Sequence, residues 1–180
     1  MPRVSRYWII WFIVLIGFVS PPLCASEVTL RSAGLRGGVN DRRNDENFEQ
    51  YEGFATWKLP WFGKIDHRWT IGTFIEANAG VLSGGGETAF VGSVGPGLYV
   101  SGLKEMVELS LGINPSIISK HKFGDENLGG PIQFTSHIGL NFNLNHHYSI
   151  GFRLQHMSNG VLYDHNPGLN MHMIEGGYRF

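Results

Sequence analysis

The chain has 180 residues and a formal net charge of −1, and 16% of its residues are charged, against about 25% in typical soluble domains. It contains 25 glycines, and 13% of its residues are aromatic. This composition excludes a disordered chain, which needs high charge and few aromatic residues, and a coiled coil, which is rich in Ala, Glu, Lys and Leu. The near-zero charge gives no indication of nucleic-acid binding, and the single cysteine excludes a disulfide framework.

The first 25 residues have the layout of a secretory signal peptide. Two arginines precede residues 7–20, which form an unbroken and mostly apolar run, and two prolines end it. The run is shorter than the roughly 20 residues that a membrane-spanning helix needs. The residues before Cys24 do not fit a lipidation site, because a small residue is expected just ahead of the cysteine. We therefore predict a signal peptide over residues 1–25 and one exported domain over residues 26–180.

Apolar and polar residues alternate with a period of two along most of the remaining chain, which is typical of β-strands. From 148 to 154, for instance, the even-numbered residues are Tyr, Ile, Phe and Leu. Turn sequences rich in Gly, Asn and Asp separate these segments. The pattern predicts eight strands, over residues 29–39, 48–59, 69–82, 88–101, 107–118, 132–144, 148–158 and 170–180.

The polar faces of these strands decide between a soluble β-barrel and a membrane barrel. A soluble barrel turns its apolar face inward, whereas a membrane barrel turns apolar side chains to lipid and polar ones to its lumen. The polar faces carry ionisable and amide side chains, which would be costly to bury unpaired in a soluble core. They are Glu76, Asn78, Glu108, Asn114, His137, Asn141, Arg153 and Glu175, and glycines accompany them. An eight-stranded lumen is just filled by side chains, which suits this mixture.

The end of the chain also favours a membrane barrel. The last predicted strand finishes with Tyr178-Arg179-Phe180, and a terminal Phe resembles the assembly signal of bacterial outer-membrane barrels. Aromatic residues cluster near strand ends, as in the interfacial girdles of such barrels. The sequence therefore predicts an all-β fold: an eight-stranded antiparallel transmembrane β-barrel, surrounded by lipid of the bacterial outer membrane.

The seventh predicted strand ends with two polar residues on its outward face. Its even-numbered residues face outward, so His156 and Ser158 stand side by side on the lipid-facing wall. With both termini in the periplasm, this strand ends at the outer leaflet, where lipopolysaccharide resides. A His base beside a Ser hydroxyl is the minimal activated nucleophile for acyl transfer. The two residues are therefore the predicted general base and nucleophile of an esterase.

The eighth predicted strand supplies a residue that can orient the imidazole. Its parity puts Asn170 on the outward face near the start of the strand, and Glu175 on the lumen side. An Asn can orient a His through its amide oxygen, as in Cys-His-Asn proteases, but it supplies no negative charge. We therefore expect Asn170→Asp to retain or raise turnover. Asn159 and the backbone N–H of Gly160, directly after the serine, are candidate oxyanion donors.

These residues also carry a resemblance to a known family. The segment from His156 to Gly160, the loop with Asn166-Pro167-Gly168 and the terminal Tyr178-Arg179-Phe180 resemble the PagL family of lipid A 3-O-deacylases. The resemblance implies an eight-stranded outer-membrane barrel that acts as a serine esterase without a metal or other cofactor. Its substrate would be the ester-linked 3-hydroxyacyl chain at position 3 of lipid A. His156 and Ser158 match the family's base and nucleophile, and Asn159 and Gly160 match its proposed oxyanion residues.

One position departs from the family pattern. The best-known members have a Glu two residues after the loop glycine, where this chain has Asn170, and Asp164 and His165 in the same loop could compensate. The charged first loop, residues 41–46, is expected to be solvated. Two alternatives stay open: a non-enzymatic barrel for adhesion or membrane integrity, and another outer-membrane lipid hydrolase or acyltransferase. Lipopolysaccharide is the implied partner, a homodimer is left open, and no nucleic acid, metal or cofactor is expected.

Overall fold

The structure is a computed structural model, and it describes residues 28–41 and 44–180. The described chain forms ten strands: β1 Thr29–Asn40, β2 Phe48–Lys64, β3 Thr70–Gly84, β4 Glu87–Gly102, β5 Val107–Ile118, β6 Lys122–Phe123, β7 Glu126–Asn127, β8 Ile132–Asn143, β9 Tyr148–Ser158 and β10 Leu169–Arg179. All eight predicted strands are present. The predicted signal peptide, residues 1–25, lies outside the described residues.

Eight of these strands close into a barrel in the order β1-β10-β9-β8-β5-β4-β3-β2, and all neighbours are antiparallel. The predicted eight-stranded antiparallel barrel is confirmed. β1 closes against β10, with Ser32 opposite Arg179 and Asn40 opposite Met171. The start of β1 and the end of β10 thus share one end of the barrel, called here the terminal end. The connections after β1, β3, β5 and β9 lie at the other end, called the loop end. The described residues include no helix long and apolar enough to cross a membrane.

The barrel wall is inverted relative to a soluble protein. On β9, Phe152 and Leu154 are 45% and 41% exposed, whereas Arg153 between them is 2% exposed. The same alternation, with apolar side chains outside and polar ones inside, recurs around the barrel. The predicted lumen residues that are buried are Glu76, Asn78, Glu108, Asn114, His137, Arg153 and Glu175. The outer surface is therefore suited to lipid and the interior to paired polar groups.

A network of buried ion pairs fills the middle of the lumen. The Glu76 carboxylate lies 3.0 Å from Nη2 of Arg36 and 3.0 Å from Nη1 of Arg153. Arg36 also pairs with Glu52, and with Glu175 at 3.3 Å. Charges removed from water are tolerated only when they are paired in this way. Because the five residues belong to β1, β2, β3, β9 and β10, their pairing ties the strands on both sides of the barrel closure together.

The loop end of the lumen is apolar, which the sequence analysis did not anticipate. Most inward side chains there come from the ends of barrel strands, and two come from the loop between β5 and β8. Phe123 of that loop packs edge-on against Phe48, with ring centroids 5.2 Å apart. This apolar cluster, called the mouth core, consists of Phe48, Leu82, Ala89, Val91, Ile118, Phe123, Leu128, Met157, Leu169, Met171 and Met173.

The strands differ from the predicted ones in two respects. Gly124 and Asp125 form the turn of a small hairpin of β6 and β7, which was not predicted. β2 continues to Lys64, beyond its predicted end at residue 59. Its pairing with β3 shifts register between Lys58 and Phe62. This irregularity accommodates Pro60, which has no N–H to donate to a neighbouring strand.

Candidate active site

Strands β9 and β10 bring His156 and Asn170 together on the outer wall at the loop end. The two residues are directly opposite each other in the antiparallel register. His156 Nδ1 lies 2.7 Å from Asn170 Oδ1. Because an amide oxygen only accepts hydrogen bonds, the ring donates from Nδ1, and Nε2 remains as the basic nitrogen. The neighbouring strand thus selects the tautomer in which Nε2 can accept a proton.

Ser158 is the last residue of β9 and lies on the same face of the strand as His156. The histidine is exposed and the serine is half-buried. Within residues 28–41 and 44–180, no hydrogen bond joins the His156 ring to the Ser158 hydroxyl. Residues i and i+2 are neighbours on one face of a strand, so both side chains project from the same wall. Catalytic hydrogen bonds of this kind are often long without substrate and tighten when it binds.

The residues between these outward side chains point into the mouth core. Met157, between His156 and Ser158, is 1% exposed. Leu169 and Met171, on either side of Asn170, are 0% and 1% exposed. Moving buried side chains of this size out of the core would leave cavities, which destabilise a protein. The outward polar side chains therefore stand on strand ends that are fixed from inside the barrel.

The two candidate oxyanion residues differ in their surroundings. Asn159 is fully buried, and its Nδ2 donates to the carbonyl oxygens of Leu128, at 3.1 Å, and His165, at 2.6 Å. Its backbone N–H donates to Asn166 Oδ1 at 3.1 Å. Gly160 is exposed with φ +60°, and no hydrogen bond found in the described part of the chain uses its N–H. Asn159 therefore anchors the loops, and the geometry favours Gly160 as the donor to an oxyanion.

Gly168 packs against the edge of the His156 imidazole. Its φ is +72°, a backbone conformation that favours glycine. A methyl group built on it would lie 2.9 Å from His156 Cε1. Its carbonyl oxygen accepts a hydrogen bond of 2.9 Å from Asn44 Nδ2, which links the loop after β9 to the first loop. Because Gly168 has no side chain, the His156 ring can lie close to the Gly168 backbone.

The first loop contributes a residue that the sequence analysis did not include in the site. Asp41 follows β1, and its backbone N–H donates to the backbone oxygen of Asn170 at 3.0 Å. Asn170 Nδ2 lies 3.1 Å from Asp41 Oδ2. This residue is half-buried against β10, whereas the loop was expected to be solvated. Asp164 and His165 are exposed, and the described residues show no hydrogen bond between either side chain and His156.

An open groove of about 560 Å³ on the outer wall is lined at its loop end by Asp41, His156 and Asn170. Toward the middle of the barrel it is lined by Leu154 and Ile138, which are 41% and 42% exposed. Ser136 on β8 is opposite His156 and is exposed, so that a row of polar side chains crosses three strands. The groove thus has a polar end near the loops and an apolar end along the wall.

Among the described residues, no three His, Cys, Asp or Glu side chains are grouped so that they could hold a metal ion.

The chain is similar to known proteins in sequence and in fold. A family model described as lipid A 3-O-deacylase (PagL) matches residues 49–179, which include His156, Ser158 and Asn170. The lipid A deacylase PagL of Bordetella bronchiseptica (strain ATCC BAA-588 / NCTC 13252 / RB50) is 36% identical over 76 residues, or 42% of this chain and 43% of that protein. The matched region therefore spans less than half the length of that relative. The crystal structure of the outer membrane enzyme PagL gives a TM-score of 0.70 at 19% identity, over 81% of this chain and 97% of that one.

Proposed function

The chain belongs to the PagL family of lipid A 3-O-deacylases, and we propose that it is an outer-membrane enzyme that hydrolyses the ester-linked 3-hydroxyacyl chain at position 3 of lipid A. In this proposal Ser158 is the nucleophile, His156 is the general base and Asn170 orients the imidazole. The observation that carries it is the 2.7 Å contact between His156 Nδ1 and Asn170 Oδ1. With Nδ1 occupied, Nε2 is the basic nitrogen on the face that carries the Ser158 hydroxyl.

The surroundings of this pair suit a substrate that arrives from the membrane. The outer wall next to the site is apolar, and the groove has the exposed side chains of Leu154 and Ile138 at one end. An acyl chain that lies along the wall would contact this apolar end, since burying apolar surface is favourable. The sugar and phosphate groups of lipid A would then lie at the polar end, next to the loops. A water-soluble ester without a long acyl chain would bury no apolar surface against this wall.

The first half of the reaction transfers the acyl group to the enzyme. Nε2 of His156 accepts the hydroxyl proton as Ser158 Oγ forms a bond to the carbonyl carbon of the ester. The carbonyl electron pair moves onto oxygen, and the resulting oxyanion accepts a hydrogen bond from the backbone N–H of Gly160. Collapse of this intermediate breaks the bond from the carbonyl carbon to the 3-oxygen of the sugar. That oxygen takes the proton from Nε2, and lipid A leaves with a free 3-hydroxyl group.

The second half regenerates the serine. Nε2 of His156 accepts a proton from a water molecule as the water oxygen attacks the acyl-Ser158 carbonyl carbon. The second oxyanion uses the same Gly160 N–H. Its collapse breaks the bond from the carbonyl carbon to Ser158 Oγ, which takes the proton back from Nε2. A free 3-hydroxy fatty acid is released, and no other reactant is consumed.

Mass spectrometry of lipid A tests the proposal in cells. Expression of the chain in a bacterium whose lipid A is acylated at position 3 should lower the lipid A mass by one 3-hydroxyacyl group. His156→Ala, produced as a folded barrel, should leave the mass unchanged. A lipid A mass that stays unchanged with the parent chain, or loss of acyl chains from phospholipid instead, would contradict the proposed substrate.

A further inference from the structure

We propose that Asp41 is a positioning residue for this reaction, which fixes the orientation of the Asn170 amide and supplies the negative charge that the amide lacks. The inference rests on the proposed function of the same site, which it deepens. It assigns a relay of three residues, in which the Asp41 carboxylate holds Asn170 and Asn170 holds His156. A residue from the first loop thereby completes a site that is otherwise built from β9, β10 and the loop between them.

The relay starts from an ambiguity in every Asn side chain. An amide has one end that accepts hydrogen bonds and one that donates, and the two ends have nearly the same shape. If Asn170 were turned over, its Nδ2 would face His156 and would force Nδ1 to accept. The tautomer would then carry its proton on Nε2, and the ring could not act as a base toward Ser158. Something must therefore hold the amide the right way round.

The Asp41 carboxylate meets this requirement because an ionised carboxylate only accepts hydrogen bonds. Its Oδ2 lies 3.1 Å from Asn170 Nδ2, so the donating end of the amide is the end that faces it. The opposite end, Oδ1, is then the end that faces His156, at 2.7 Å. The backbone bond from the Asp41 N–H to the Asn170 oxygen, at 3.0 Å, holds the two residues in register. The amide is thus restrained at both ends and at its backbone.

The charge of Asp41 has a second consequence. His156 becomes an imidazolium when it takes the serine proton, and a nearby negative charge stabilises that cation. Asp41 acts through Asn170 instead of touching the ring, so its effect should be smaller than that of a carboxylate in direct contact. The family's Glu and this chain's Asn170 are then two solutions to one requirement. The first places the charge next to the ring, and the second places it one residue further away.

The relay changes what is expected of a carboxylate at position 170. From the sequence alone, Asn170→Asp is expected to retain or raise turnover. With Asp41 3.1 Å from the present amide nitrogen, the substitution would set two carboxylates against each other. Such a pair cannot remain doubly ionised without cost. Asn170→Asp alone should therefore lower turnover.

Exchanging the two side chains tests the relay. Asp41→Ala and Asn170→Ala should each lower kcat about 10- to 10²-fold, since a small misplacement of a catalytic group has an effect of this size. KM should change much less, because neither residue binds the acyl chain. Asp41→Asn combined with Asn170→Asp should recover most of the kcat that Asn170→Asp loses. In that pair the new carboxylate accepts from His156 and from the new amide, so both hydrogen bonds reform.

Two controls keep the result interpretable. Asp45→Ala removes an exposed carboxylate of the same loop whose side chain has no hydrogen bond to Asn170, and its kcat should equal that of the parent. Each variant is scored only on the fraction that shows the heat-modifiable gel mobility of a folded barrel. An exchanged variant that is no faster than Asn170→Asp would overturn the relay, and so would an Asp41→Ala variant that keeps the parent kcat.

A second measurement does not depend on lipid A activity. In detergent micelles, ¹⁵N-labelled histidine shows which ring nitrogen carries the proton, and the His156 signals are assigned by their loss in His156→Gln. The parent should show His156 protonated on Nδ1, and Asp41→Ala should shift the population toward Nε2. Unchanged His156 signals in Asp41→Ala would contradict the relay. If Asp41→Ala shows this shift but the parent does not deacylate lipid A, the result would contradict the proposed function and leave the relay standing.

Discussion

At the scale of single residues, the His156 ring is held from two sides by neighbours with different tasks. Asn170 Oδ1 accepts a hydrogen bond from its Nδ1, at 2.7 Å, and Gly168 lies against the Cε1 edge of the ring. The first contact sets the tautomer, and the second sets how deeply the ring can lie against the wall. Nε2 is the ring nitrogen that remains free to serve as the base. Small changes on either side should therefore alter the rate more than the stability of the barrel.

Gly168→Ala tests the second of these contacts. The added methyl would lie 2.9 Å from His156 Cε1, so the ring has to move, and a shift of about 1 Å can cost about 10²-fold in rate. We expect kcat to fall by about that factor while KM changes little. Release of 3-hydroxy fatty acid from lipid A by the purified, folded variant provides the measurement.

Gly86→Ala is the matched control. Gly86 has φ +77°, close to the +72° of Gly168, and a methyl there meets nothing within 4 Å. It carries the same backbone strain, of about 1–2 kcal/mol, without the contact to His156. If both alanine variants slow the enzyme equally, strain in the loops rather than ring displacement is responsible.

The sequence predicts the position of a site residue correctly where strand parity alone determines which way its side chain faces. Parity puts His156, Ser158 and Asn170 on one wall, because side chains alternate strictly along a strand. It does not find Asp41, because that contact depends on the register between the first strand and the last. Once Asn40 is known to lie opposite Met171, the next residue has to meet Asn170. Register across a barrel closure is set by all the strands together and cannot be read from two segments of sequence.

At the scale of elements, β9 and β10 have two faces with separate tasks. Their outward residues at the loop end form the candidate site, and their inward residues form part of the mouth core. Met157 on β9 is opposite Leu169 on β10, and both are fully buried. The alternation that exposes the polar side chains therefore also anchors them. This coupling predicts that the stability of the loop end and the rate of the reaction change together.

Met157→Ala tests this coupling. Removing a buried Met side chain costs about 2–5 kcal/mol through lost burial and the cavity left behind. We expect a lower urea midpoint of unfolding in lipid vesicles and a lower kcat of the folded fraction. Met106→Ala is the control, since Met106 is 60% exposed at the terminal end and its truncation should change neither quantity. A Met157→Ala variant with the parent midpoint would show that the mouth core does not support the site.

The mouth core also marks a limit of sequence reasoning at this scale. Alternation identifies which residues face inward, but it does not tell how the lumen varies along its length. The apolar end depends on the loop between β5 and β8, which places Phe123 and Leu128 inside the barrel mouth. Long-range packing of a loop follows from the shape of the closed barrel, which no local pattern contains. The strands, in contrast, are predicted closely because their alternation is local.

At the scale of the whole molecule, the ion-pair network in the middle of the lumen lies apart from the candidate site on the outer wall. The lumen holds the ion pairs of Arg36 and Arg153 with Glu76, and the outer wall holds the candidate site. Inward and outward residues alternate on the same strands, so the two sets do not compete for positions. Changes in the ion-pair network, away from the mouth core, should therefore affect folding, and changes on the wall at the loop end should affect the reaction.

Glu76→Ala tests this separation from the side of the lumen. It would leave two buried arginines without their shared carboxylate, and breaking a buried pair costs about 3–5 kcal/mol. We expect the urea midpoint to fall while the folded fraction keeps the parent kcat. The control is Glu87→Ala, which breaks the exposed pair with Lys120, a kind of pair worth about 0–1 kcal/mol. Equal midpoints for the two variants would contradict a stabilising role for the lumen network.

The most direct test of the account is the release of 3-hydroxy fatty acid from purified lipid A by the folded parent and by folded Ser158→Ala. The account predicts release by the parent together with a matching loss of mass from lipid A. It predicts that Ser158→Ala is slower by several powers of ten, because nucleophile and base act as a unit. Release by folded Ser158→Ala at the parent rate would contradict the assignment of Ser158 as the nucleophile of a serine esterase.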